Sequence, residues 1–329
     1  MVCRTTRPSL AYRSRDMRVP GPAEASSRLI DRFASQRARS QLRRRLHHVI
    51  TEAVSPLLEP LRGELAQLRA EKQGLLERLD ALQLLAAANL DDIPGLRAQL
   101  LAQRAKPAHD AIFEDHTPLI SVRIATRNRS AVLVGSTIPS VLAQTYENLE
   151  IIVVGDGCTD DTEERLGELG DPRIRFFAMP HQGVYPTDPM KRWMVAGSPA
   201  MNAAAQLATG QWIAPLDDDD LFMPDHLQVL LDAALAGRYE MVYGRYRCRL
   251  PDGTTDIGVY PPQRGKFGFQ AGMYMSRLSF FEWEPRSWLL DEPADWNVCR
   301  RMLEAGVRIG FVDTVVTELS PTGPRLPGL

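Results

Sequence analysis

From residue 118 onward, short apolar runs alternate with helix-like segments, and no other feature of this 329-residue chain limits its fold as tightly. The runs 119–125, 149–154, 173–178 and 211–216 are short, bounded by Gly, Pro or Asp, and read as buried strands. Helical patterns fall between them, over 132–144, 199–208 and 224–235. Another helix follows Thr159 or Asp160 as cap, with Asp161, Glu163 and Glu164 in its first turns, the favourable sign at a helix N-terminus. Such alternation predicts an α/β domain with an open, mostly parallel sheet and helices on both faces. Ligands of such sheets bind beyond the carboxyl ends of the strands.

Two acidic clusters fall at those ends. The run 149–154 ends in Gly155-Asp156-Gly157, and Ile213-Ala214-Pro215-Leu216 ends in Asp217, Asp218, Asp219 and Asp220. Four adjacent carboxylates repel one another unless a cation sits among them. Carboxylates at alternate positions suit a hard divalent ion such as Mg²⁺ or Mn²⁺, which prefers oxygen and leaves room for phosphate oxygens. A solvated acidic turn before a helix would look the same in isolation. Two clusters on one sheet edge favour the ligand site.

The N-terminal third is different. Residues 1–50 hold twelve arginines against three acids, although the whole chain has a net charge of −2. Residues 1–27 read as a disordered basic tail, and residues 28–105 as a helical segment. There Leu61, Leu65, Leu68, Lys72, Leu75, Leu79, Leu82 and Ala86 alternate by four and three, a heptad seam. Pro56 and Pro60 are expected to mark its start, and the stretch 89–95 its break. The seam is expected to form either a homodimeric coiled coil through 57–88 or a hairpin packed on the main domain. A short helix near 96–104 and a linker at 106–117 lead to the main domain at 118–318, and 319–329 reads as a tail. The four cysteines are scattered without a CxxC pair, which points to reduced thiols. No run reaches membrane-spanning length, so the expectation is a cytoplasmic protein, at most peripheral to the membrane's inner face, with no nucleic-acid partner.

Several segments in order carry a family resemblance. Residues 120–128 (ISVRIATRN), 140–146 (SVLAQTY), 149–162 (LEIIVVGDGCTDDT), Asn202 with 210–213 and the aspartate run, and finally Leu290-Asp291-Glu292 with Asp295-Trp296 and Arg301, resemble family 2 glycosyltransferases. The resemblance covers roughly 118–315. It implies the GT-A fold and an inverting sugar transfer from a nucleoside-diphosphate donor to a hydroxyl acceptor, which is a saccharide, a lipid-linked saccharide or a small molecule.

The resemblance also implies roles. Asp156 would hydrogen-bond the nucleotide base, with Ala125, Thr126 and Arg127 beside base and ribose. Asp219 would hold the Mn²⁺ or Mg²⁺ that bridges the phosphates, with Asp217 as a further ligand and Asp217 or Asp218 facing ribose. Asp220 would cap the following turn. Asp295 would be the general base, with Asp291 and Glu292 as alternatives and, with Trp296, on the acceptor side. From the residues themselves, 181–197 reads as a lid whose Lys191 or Arg192 pairs with phosphate. The stretch 260–274 lies where this family builds its acceptor pocket, with Trp283 and Trp288 as candidate sugar platforms. Two rivals remain: a noncatalytic coiled-coil protein with a degenerate nucleotide-sugar binder, and a sugar-phosphate nucleotidyltransferase. The second would want a glycine-rich loop where Thr126-Arg127-Asn128-Arg129 stands.

Overall fold

The structure is a computed structural model that describes residues 36–90, 92–250 and 253–320. The expected tail at 1–27 lies outside the described residues, and so does the tail expected at 319–329 except for Leu319 and Ser320, of which Leu319 still belongs to a strand. The chain divides into two compact units, 1–82 and 83–329.

The first unit is built on α1, Gln36–Leu90, an unbroken helix of 55 residues. It runs through Pro56 and Pro60, so these do not start it. Each proline removes one intrahelical hydrogen bond and clashes with the preceding turn, a cost of about 3 kcal/mol in an interior position. The break expected at 89–95 is present. Asp92 accepts the Gly95 N–H (2.9 Å) and caps α2, Ile93–Arg104, with Pro94 in the first turn.

The second unit takes in residues 83–90 of α1 and then α2. Leu96 and Leu100 are buried in its core. The expected linker at 106–117 contains a helical turn, Ala108–Ala111, and a 3-10 turn, Ile112–Glu114, whose Ile112 and Phe113 enter the same core. Arg104 pairs with Glu240 through Nε (2.7 Å) and Nη2 (2.6 Å). Glu240 is fully buried, and burial alone would raise its carboxyl. The Arg104 hydrogen bonds, the Arg308 backbone N–H (2.8 Å) and both guanidinium charges hold it below the usual range.

The strands are β1 (Ile120–Thr126), β2 (Leu149–Gly155), β3 (Ile174–Ala178), β4 (Trp212–Asp217), β5 (Leu221–Phe222), β6 (Met241–Leu250), β7 (Gly253–Ile257), β8 (Gly272–Met275) and β9 (Ile309–Leu319). They form one nine-stranded sheet ordered β3-β2-β1-β4-β8-β6-β9-β5, with β7 paired to β6. The run β3-β2-β1-β4 is parallel throughout, and β8 joins it antiparallel. The parallel strands are apolar on both faces because both faces are covered. On β2, Ile151 and Val153 enter the main core, while Ile152 and Val154 pack on Ala200 and Ala204.

The remaining helices are α3 (Thr162–Glu168), α4 (Pro189–Val195), α5 (Ser198–Leu207), α6 (His226–Gly237) and α7 (Ala294–Ala305). Between β1 and β2, residues 130–142 form one helical stretch with a π-turn at Leu133–Thr137. The far end of α7 is tied to α2. Arg97 donates to the Glu304 and Ala305 carbonyls (2.6 and 3.3 Å), and Arg104 to the Gly306 carbonyl (2.8 Å). Among the described residues no helix is long and apolar enough to cross a membrane.

Candidate functional site

The carboxyl ends of β1, β2 and β4 open into a cavity of about 1030 Å³. Ala125, Thr126, Arg127, Asp156, Arg192, Asp217, Asp218, Asp219, Asp295 and Trp296 all reach its wall. Lys191, Asp291 and Glu292 do not.

The four aspartates have four different surroundings. Asp217 ends β4, in register with Ala125 of β1, and its side chain opens onto the cavity. The protein atoms crowded around its carboxyl, then the charges of Asp219, Asp218 and Asp295, raise that carboxyl to about 7, and Arg123 offsets part of the rise. Asp218 accepts from the Thr126 hydroxyl (2.7 Å) and Arg129 Nη1 (2.9 Å), while the Thr137 hydroxyl binds its carbonyl (3.0 Å). Asp219 Oδ2 lies 2.9 Å from the same Arg129 nitrogen. Asp220 also lines the cavity and accepts the Ser320 N–H (2.9 Å), not a donor of the turn that follows. Among the described residues Arg129 is the one cation bonded within this cluster, and nothing in the local sequence announced it.

Among the described residues no three carboxylate, imidazole or thiol groups already converge as a metal cage. The donor set still fits Mg²⁺ or Mn²⁺. Such ions bind through one or two carboxylates and take phosphate oxygens and water for the rest. Asp217 presents a carboxylate with surplus negative charge around it, and Asp219 offers an oxygen now shared with Arg129.

On the other side of the cavity Asp156 is buried at the end of β2. Its Oδ1 accepts the Gly183 N–H (2.7 Å) and its Oδ2 the Tyr185 hydroxyl (2.7 Å). Each oxygen keeps a lone pair for a further donor. Burial, first, and the Asp156 charge raise the Tyr185 phenol. That phenol also accepts the Gly197 N–H (3.1 Å), so it ties both ends of the 183–197 segment to the strand end. Arg127 turns its guanidinium onto the carbonyls of Asp156 and Gly157 (2.8 and 3.3 Å). Gly157 has φ of 63°, and a Cβ there would stand 2.4 Å from the Gln182 nitrogen, so only glycine allows this close approach.

The segment expected as a lid contains α4, capped by Asp188, which accepts the Lys191 N–H (2.9 Å). The two basic candidates separate. Arg192 and Trp193 line the cavity, whereas the Lys191 ammonium lies 4.8 Å from the ring centre of Trp288.

Asp295 sits in the first turn of α7, half-buried. Desolvation raises its carboxyl to about 6, and the Trp296 N–H (2.6 Å) and Arg264 restrain the rise. The two alternatives are engaged elsewhere. Glu292 is held by Arg300 (2.7 and 2.9 Å) and Asn297 (2.8 Å). Asp291 is exposed, 3.5 Å from Arg264. The stretch expected at the acceptor pocket sends Arg264, Phe267, Phe269 and Gln270 to the cavity wall. Trp283 joins them and Trp288 does not. Asn202 holds the Trp283 backbone at both its N–H and its carbonyl (2.8 Å each).

The chain resembles known proteins over this region. Glycosyl transferase family 2 matches residues 121–185 and 191–285. Hyaluronan synthase of Pasteurella multocida is 30% identical over 172 residues, 51% of this chain and 16% of that protein. The UDP-Glc:alpha-D-GlcNAc-diphosphoundecaprenol beta-1,3-glucosyltransferase WfgD of Escherichia coli is 28% identical over 128 residues, 39% of this chain and 46% of that protein. The chain thus spans less than half the length of both relatives. Among solved structures, S. aureus TarS 1-349 in complex with UDP-GlcNAc shares the fold, with a TM-score of 0.50 at 14% identity, over 63% of this chain and 59% of that one. Asp295 lies beyond the matched segments, while Asp156 and the aspartate run lie within them. With an α/β sheet of GT-A architecture, the family match and glycosyltransferase relatives, the chain belongs to glycosyl transferase family 2.

Proposed function

We propose that the cavity transfers a sugar from a nucleoside-diphosphate donor to an acceptor hydroxyl, with inversion at the anomeric carbon. The observation that carries this reading is the convergence in one cavity of three separate sets of acids: Asp156 at the end of β2, Asp217 to Asp219 at the end of β4, and Asp295 in the first turn of α7. The named activities of the relatives, sugar-polymer synthesis and β-glucosyl transfer, support the same class of reaction.

Asp156 receives donors of the nucleotide base, with Ala125, Thr126 and Arg127 beside base and ribose. Asp219 and Asp217 would hold Mg²⁺ or Mn²⁺ against the two phosphates. When bound, that ion supplies positive charge to the departing diphosphate. Arg192 reaches the same cavity and pairs with phosphate. Asp295 takes the proton of the acceptor hydroxyl. That oxygen then bonds the anomeric carbon as the carbon–oxygen bond to the diphosphate breaks, and the electron pair leaves with the nucleoside diphosphate. One displacement inverts the centre. Asp295 is the base favoured over Asp291 and Glu292, since only it reaches the cavity. Trp296, Trp283 and Phe269 shape the acceptor side.

The test is incubation with a panel of nucleotide sugars and Mn²⁺, reading nucleoside-diphosphate release, followed by NMR of the new glycosidic linkage. Release with an inverted anomeric centre is the expected result. Retention would reject the single displacement, and no release across donors and acceptors would favour a noncatalytic binder.

A further inference from the structure

The proposed transfer makes no use of the leucine seam of α1. Counting heptads from Leu58 places Leu58, Leu61, Leu65, Leu68, Lys72, Leu75 and Leu79 at the a and d positions. The six leucines are 38–64% exposed. Val54 and Leu82 extend the pattern in the sequence, while Pro56 and Pro60 fall at f and c, outside the seam. A stripe of this length marks a surface built for a partner.

We infer that α1 pairs with α1 of a second copy of this chain, as a parallel, in-register, two-stranded coiled coil over residues 54–86. The charges flanking the seam select this occupant and this direction. In a parallel pair, each g residue faces the e residue five positions later on the other helix. Glu64 then meets Arg69 of the second copy, twice by symmetry. The other facing pairs are Leu57 with Arg62, Glu71 with Leu76 and Arg78 with Gln83, none of like charge. Lys72, at an a position, comes beside Glu71 of the second copy. An antiparallel pair with the same overlap would also gain an opposite-charge pair, Glu64 with Arg78, but would set Glu71 against Glu71 and Arg69 against Arg69, whereas the parallel pair has no like-charge contact.

The hydrogen bonding within α1 agrees. Neighbours four or three apart already pair, as Arg62 with Glu59 (2.9 Å), Gln67 with Glu71 (3.0 Å) and Gln73 with Glu77 (3.1 Å). Glu64 and Arg69 are five apart, too far round the helix to meet, and neither has an ion pair or hydrogen bond among the described residues. Glu64 and Arg69 are thus free for the facing positions of a parallel second copy, and so is Lys72 for Glu71.

The test uses the full chain without substrate, so its outcome is independent of the transfer reading. Light scattering at micromolar concentration should give twice the 36.8 kDa of one chain. Arg69→Glu should weaken the dimer by about tenfold, about 1.4 kcal/mol, with unchanged helical circular dichroism. Adding Glu64→Lys to it should restore the affinity. Leu75→Cys should cross-link the chain to itself under mild oxidation, with the unsubstituted chain controlling for the native thiols. In the antiparallel pair the two positions 75 would lie roughly 15 Å apart, beyond disulfide reach. A monomer would overturn the inference, including one whose seam is covered by its own chain. So would a dimer indifferent to the Arg69→Glu and Glu64→Lys exchange, or one that Leu75→Cys fails to cross-link.

Discussion

The Arg123 guanidinium lies 3.9 Å from the ring centre of Trp283, at a fully buried position in the middle of β1. It donates to the Met201 carbonyl (3.0 Å), and its Nε and Nη2 meet no acceptor. Strand register sets Arg123 against Pro215 and Ala125 against Asp217, so Arg123 and Asp217 share one face of the sheet. A cation without a full set of partners, stacked on an aromatic wall beneath a cluster of carboxylates, reads as a stability cost accepted for the site.

Arg123→Met keeps the length of the side chain and removes its charge. Replacing an incompletely paired buried ion with an apolar residue is neutral to stabilising, by up to about 4 kcal/mol. The melting temperature should therefore hold or rise. Mn²⁺-dependent binding of a nucleoside diphosphate should weaken, because Asp217 loses the positive charge that holds its carboxyl down and so favours the metal-binding carboxylate form. A lower melting temperature with unchanged binding in calorimetry would show that Arg123 serves the core alone.

Asp295→Asn should separate catalysis from stability. Folding raises the Asp295 carboxyl from 3.8 to about 6, so the folded chain holds that proton more tightly than the unfolded one. Stability is then lost as pH rises between those values, and the whole penalty is present at neutral pH. The asparagine variant should melt higher than the parent at pH 7.5 and match it near pH 3.5. Transfer should fall by at least about 10²-fold, mostly in kcat. In the parent, kcat/KM should decline as pH drops through about 6. Asp291→Asn and Glu292→Gln are the controls. Greater loss of transfer in either would mean the base is misassigned.

Asp219→Ala should abolish the Mn²⁺-dependent part of nucleoside-diphosphate binding and leave circular dichroism unchanged. Its carboxylate has Arg129 as its ion-pair partner, and Arg129 keeps Asp218. Isothermal titration with and without Mn²⁺ checks this, and equal metal enhancement in variant and parent would remove Asp219 from the proposed ligand set.

Where the chain can be shortened follows from α2. Starting at residue 92 retains Leu96, Leu100 and Arg104, and the domain should keep its melting temperature. Starting at residue 106 strips the Arg104 guanidinium from a Glu240 with no exposed surface. Breaking such a pair from one side costs about 3 kcal/mol or more, a drop of roughly 6–12 °C. Equal thermal unfolding of the two truncated chains would contradict this.

The parallel strands were legible because burial on both faces leaves little but apolar residues in them, as in Leu149–Gly155. The acids at their ends stood out against that background. What sequence reading missed depends on contacts between distant positions. Arg129 precedes Asp218 and Asp219 by about ninety residues, and an arginine after a strand carries no mark of its target. Tyr185 sits in a stretch read only as a lid, so its bond to Asp156 had no local signal. The length of α1 was underread because a proline rule for helix starts was applied to a helix that passes through two prolines. The second half of the sheet left a trace in β6, where Arg245, Arg247 and Arg249 alternate with Tyr246 and Cys248. That period-two pattern belongs to a strand with one wet face.

The ties between α2 and the end of α7 reach further than the core. α7 is a stiff rod of about 18 Å, with Asp295 at one tip and the carbonyls gripped by Arg97 and Arg104 at the other. With Asp295 as the proposed base, its aim at the acceptor hydroxyl is set partly from the far end of α7, by arginines about two hundred positions earlier in the chain. An error of 1 Å in aim is worth about a hundredfold in rate. Substitutions at Arg97 would thus read out as slow chemistry in an enzyme whose every cavity residue is intact.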